Sequence, residues 1–173
     1  MDLEAPADAW YVWVGVAIVS TTLFGLALSL PSDVPPDANK AANSIDDVAG
    51  SAHQATAEYE HGADKVKVET HRLSMKNDGG TARSSVVFGP LTPISEVSDQ
   101  ETRAAFEQIL SGEDPSVVID ESESLQSERD LVDAAENTRD RLNENGATWR
   151  STDGVLHVRK LTLDEEPVVL VDL

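Results

Sequence analysis

The sequence predicts an α+β fold: an N-terminal transmembrane helix, then a small domain in which an antiparallel sheet of about five strands packs with two or three helices. Three observations predict it. An uncharged apolar run extends from Trp10 to Leu30. Short stretches of strict alternation are separated by tight-turn residues, as strands are. Two later segments repeat apolar residues at helical spacing. The implied organisation is an acidic tail over 1–9, a transmembrane helix over 10–30, a Pro-rich spacer over 31–36, an amphipathic helix or stalk over 37–62 and an α+β domain over 63–173.

At 1.5 Å per residue, a helix over 10–30 reaches about 31 Å, close to the hydrocarbon thickness of a bilayer. Trp10, Tyr11 and Trp13 stand at its leading edge as candidate interface anchors, since their rings favour lipid and their polar atoms favour water. Pro31 ends the run. The preceding residues carry acids and no base, unlike a cleaved secretory signal. Ala17, Thr21, Gly25 and Ser29 repeat every four residues and form a candidate helix-packing face on which small side chains allow close approach. The expected location is therefore the cell membrane, with a single pass and the C-terminal domain on the extracytoplasmic side in preference to the cytoplasmic one.

Beyond the spacer, Ala41, Ile45, Val48, Ala52, Ala55 and Tyr59 step along one helix face, with Asp37 as N-cap. Lys65 to Thr70 alternates, and the phase changes at His71-Arg72 before Leu73 and Met75, the pattern of a bulged strand. Asn77-Asp-Gly-Gly80 gives a tight turn, and Thr81 to Phe88 returns as the partner strand. Ser98 to Glu101 reads as a capping box for a helix over 99–111. Val117 to Ile119 reads as a short strand. Leu131, Ala135, Thr138 and Leu142 mark one face of a helix between Leu125 and Glu144, and Asn145-Gly146 ends it. The tail offers Thr148 to Arg150, Val155 to Leu163 and Val168 to Leu173 as strands.

The charge balance is 13 Lys and Arg against 32 Asp and Glu, a net charge of -19. Such self-repulsion loosens a compact domain, and concentrated salt screens it, which points to a salt-rich medium. It also argues against nucleic acid as a partner, because Lys and Arg supply phosphate affinity. No basic stripe is expected. With no Cys, the chain has no disulfide and no thiolate metal site.

No enzyme is expected. His53, His61, His71 and His157 lack the spacing of a helical zinc motif, and Ser84-Ser85 has no paired base. Glu58 to His61 and Asp120 to Glu123 lack the EF-hand loop pattern and read as solvated carboxylates. No G-x-S-x-G, P-loop or dinucleotide fingerprint is present. No catalytic residue, metal ligand or cofactor is expected.

Asp8-Ala-Trp-Tyr-Val-Trp13, the apolar helix, the Pro-rich spacer, the hairpin ending at Val87-Phe88-Gly89-Pro90-Leu91-Thr92-Pro93 and the closing strands together resemble an uncharacterised family of haloarchaeal single-pass membrane proteins. The resemblance covers nearly the whole chain and implies a halophile, but it carries no functional residue. The layout is only distantly pilin-like: no Lys or Arg precedes the apolar run, and Pro31, Pro35 and Pro36 interrupt a long helix. The function expected is that of a cell-envelope structural or assembly protein; the alternative is a membrane-tethered module that binds another protein. The expected partners are the lipid bilayer and either further copies, through the transmembrane helix, or another membrane protein.

Overall fold

The computed structural model describes residues 9–28 and 33–173 of the chain, which form two units divided at Ser32. The first contains helix α1, Ala9–Leu28. Among the described residues no helix is long and apolar enough to cross a membrane, so the expected transmembrane helix over 10–30 is corrected, and the single-pass membrane localisation with it. The side chains described in α1 run from Trp10 to Phe24, about 22 Å of helix against roughly 30 Å of hydrocarbon. Ser29, Leu30 and the expected stop at Pro31 lie outside the described residues.

The second unit corrects the expected single sheet of about five strands. Eight strands form two four-stranded sheets, in the orders β1-β7-β8-β5 and β4-β3-β2-β6. The first sheet comprises β1 (Ala55–Glu60), β7 (Val155–Leu163), β8 (Glu166–Asp172) and β5 (Leu91–Pro93); β5 runs parallel to β8, so this sheet is mixed. The second comprises β4 (Gly80–Ser85), β3 (Arg72–Asn77), β2 (Lys65–Glu69) and β6 (Arg150–Ser151), all antiparallel. The helices of this unit are α2 (Ala38–Ala49), α3 (Gln100–Leu110), α4 (Pro115–Glu121) and α5 (Glu128–Asn145).

The first sheet is buried on both faces because its strands alternate between two cores. Leu156, Val158, Val169 and Val171 join α2 and the inner face of the second sheet in one cluster, through Ile45, Val66, Leu73 and Met75. Leu161, Leu163, Val168 and Leu170 point the other way, into a cluster with Phe106 and Ile109 of α3 and Leu131 and Ala135 of α5. Arg159 and Lys160, adjacent in β7, use the same alternation to reach helix ends on opposite sides. Arg159 donates to Ile109 O and Glu113 O at the end of α3, and Lys160 donates to Ala49 O and Ser51 O beyond α2. Cations there satisfy carbonyls that the helix leaves open and oppose its negative end.

Local chemistry explains where other expectations shift. Asp37 caps α2 through Lys40 N, but the helix ends at Gly50 and Ala55 to Tyr59 form β1. The small residues at helical spacing also alternate as a strand, and pairing with β7 decides between them. Lys65 to Met75 is no bulged strand: the phase change is the turn of the β2–β3 hairpin. The expected capping box at Ser98 is replaced by Asp99, which accepts from Thr102 N. Glu101 instead accepts from Ser122 Oγ, Glu123 N and Ser124 N, holding the segment after α4. Val117 to Ile119 lie in α4 and not in a strand, because Asp114 caps the turn and Pro115 opens it.

Asp33 to Pro36 lie on the β3–β4 turn: Asn77 Nδ2 donates to Val34 O and Gly62 O, and Pro36 is buried. Gly79 is required there, since a Cβ would stand 2.1 Å from Asp33 O. The β7–β8 turn is strained differently. Asp164 and Glu165 have φ of 46° and 67°, values that favour Gly in a two-residue hairpin. The first turn of α5 holds this turn in place, with Asp164 N donating to Glu128 and Arg129 pairing with Glu166 at 2.7 Å. Glu165→Gly therefore relieves strain at a position no core contact needs, and stability in urea is expected to rise by about 1 kcal/mol; a fall would show that the glutamate itself supports the turn.

Candidate functional site

The expected packing residues of α1 are placed on an apolar, uncharged helix. Every described side chain from Trp10 to Phe24 is exposed. Trp10 and Tyr11 lie against each other with ring centroids 3.8 Å apart and planes tilted by 32°, and Trp13 is 75% exposed. Thr21 Oγ1 donates to the Ala17 and Ile18 carbonyls of its own helix, which leaves the Ala17–Thr21 track without an outward hydroxyl demand. Gly25 continues it within α1, whereas Ser29 lies outside the described residues.

A second feature is a groove of about 440 Å³ on the helix-side face of the first sheet, where the helices leave β1 and the start of β7 uncovered. Its lining includes Glu58, Glu107, Leu110, His157 and Asp172. His157 Nδ1 lies 3.5 Å from Glu58 Oε1, and Asp172 is the register partner of His157 on β8. Burial, with help from the Glu107 charge, raises the Asp172 carboxyl above its ordinary value. The groove thus holds carboxylates and an imidazole around an apolar wall. Among the described residues no group of three or more His, Asp or Glu is placed to hold a metal ion.

The remaining histidines are dispersed. His61 is structural: its Nδ1 accepts from Ala63 N at 3.2 Å, and burial lowers its basicity, the nearby Asp153 opposing only in part. His53 and His71 are exposed, as is Ser85, and Ser84 is half-buried in β4.

The third feature was not visible as a block in the sequence and corrects the absence of a basic stripe. In the second sheet Leu73 and Met75 face the core, so the residues between and beside them face outward. Register then aligns three outward rows: Lys65, Lys76 and Thr81; Lys67, Ser74 and Arg83; Glu69, Arg72 and Ser85. Five of the chain's 13 Lys and Arg stand on this one face against a single carboxylate, Glu69. Lys67 pairs with Glu69 at 2.6 Å, and Lys76 Nζ sits 4.6 Å from the centre of the Trp149 ring. At the middle of the face Ser74 is 1% exposed, and its hydroxyl has no hydrogen-bond partner. The alternation of Lys65-Val-Lys67-Val was the available signal, because period-two spacing puts both lysines on one side.

Comparison with known proteins gives one match. A family model described as "Family of unknown function (DUF7283)" matches residues 4–161. No curated protein and no solved structure matches the chain.

Proposed function

The chain belongs to the DUF7283 family, a family of unknown function, and from that premise we propose that it is a non-catalytic structural or assembly protein of a halophile, in which α1 packs against α1 of further copies. The observation that carries this reading is the exposure of an apolar helix on all sides: Val12, Val16, Ile18, Val19, Leu23 and Phe24 are all open. Exposed apolar surface beyond a few hundred Å² marks an interaction site, because burying it recovers about 25 cal/mol per Å². Ala17, Thr21 and Gly25 supply the face with least steric obstruction to a second helix. The haloarchaeal setting is supported by the net charge of -19.

The test is the mass of the full chain in molar salt by sedimentation. Gly25→Leu inserts a branched side chain into the track and is expected to shift the distribution from oligomer towards monomer. An oligomer of unchanged mass and stability would remove the helix face from the account.

A further inference from the structure

On the basic face of the second sheet Lys65, Arg72 and Arg83 are exposed, Lys76 lies against Trp149, and among the described residues Lys65, Lys76 and Arg83 form no salt bridge. Its chemistry selects an anionic partner. One such surface is on α5, where Asp133, Glu136, Asp140 and Glu144 are all exposed and succeed one another at three- and four-residue spacing, Asp133 being paired with Arg129 of its own helix. That spacing puts them on one helix face over about 16 Å. The basic face is three strands wide, about 10 Å, and each of its three rows carries at least one cation.

We infer that the outward face of β2, β3 and β4 docks the acidic stripe of α5 from a second copy of this chain. Charge complementarity selects the partner: in a chain this acidic the sheet gathers an uncommon excess of cations, and α5 presents carboxylates at matching scale. The two surfaces belong to different sheet and helix elements, so the contact is head-to-tail and propagates into a ring or an open chain. The inference deepens the assembly reading, from which it takes a second copy as the partner, but it does not use α1.

The experiment mixes ¹⁵N-labelled and unlabelled full chain in molar salt and treats it with a zero-length carbodiimide, which joins Lys amines to carboxylates in contact. Mass spectrometry then identifies peptides linking a labelled to an unlabelled chain. The expected result is hybrid links from Lys65, Lys67 or Lys76 to Asp133, Glu136, Asp140 or Glu144. Arg83→Gln, a change at an exposed side chain, is expected to lower their yield about tenfold, as loss of a close interfacial charge pair does. Hybrid links spread without preference over other acidic segments, or confined to links within one chain, would overturn the inference. So would an Arg83→Gln yield equal to that of the parent chain. Repeating the measurement in Gly25→Leu separates the two ideas: sheet-to-α5 links that persist there support this contact even if the helix contact fails.

Discussion

Transfer of the folded chain from molar salt to dilute buffer is expected to abolish the cooperative thermal transition of residues 33–173. At 1 M salt the screening length is about 3 Å, so each carboxylate feels only its immediate neighbours; at 0.01 M it is about 30 Å, on the scale of the whole domain. The net charge of -19 then repels itself throughout the compact state, while the unfolded chain relieves that repulsion by expanding. The structure shows one place where the strain concentrates. Asp172 is partly buried, and Glu107 and Asp153 both disfavour its charge. A carboxyl whose folded pKa is raised stabilises the fold below its unfolded pKa, and that contribution is lost as pH rises through the folded value. Mild acid should therefore offset part of the low-salt loss. Circular dichroism melts across a salt series check the result, and an unchanged melting temperature in dilute buffer would remove the halophilic reading.

Phe106→Ala is expected to cost about 3–5 kcal/mol in denaturant unfolding, enough to leave most ordinary domains only marginally folded. Phe106 is fully buried in α3, in the cluster that joins the helices to the first sheet. Truncation loses the transfer energy of the ring and leaves a cavity among Ile109, Leu131, Leu161 and their neighbours, which are fixed by two helices and a strand. Phe106→Leu refills much of that volume and should cost about 1.5 kcal/mol or less. Equal losses for the two variants would mean that the ring makes a specific contact beyond its volume.

The features most legible in the sequence were those enforced by neighbours in the chain. The α5 face of Leu131, Ala135, Thr138 and Leu142 is buried as its spacing requires. The turn at Asn77 to Gly80 joins β3 to β4. What could not be read locally was decided by distant pairing. Ala55 and Tyr59 fit a helix face as well as a strand, and only β7 makes them β1. The division into two sheets depends on which strands share a register, and alternation alone does not record that. Val117 and Val118 lie in a helix because Asp114-Pro115 just before them is a helix start. The basic face was missed for a related reason: its cations come from three strands, and no window of the sequence contains them together.

In the proposed assembly the apolar helix α1 is covered by copies of itself. The chain has three tryptophans, and Trp149→Phe leaves only Trp10 and Trp13, both on α1 and both exposed in the single chain. Their emission therefore reports directly on whether α1 is in water or packed. In molar salt the emission is expected to be blue-shifted at high protein concentration and to move to the red on dilution, in step with the fall in mass. Water-like emission at every concentration would contradict it.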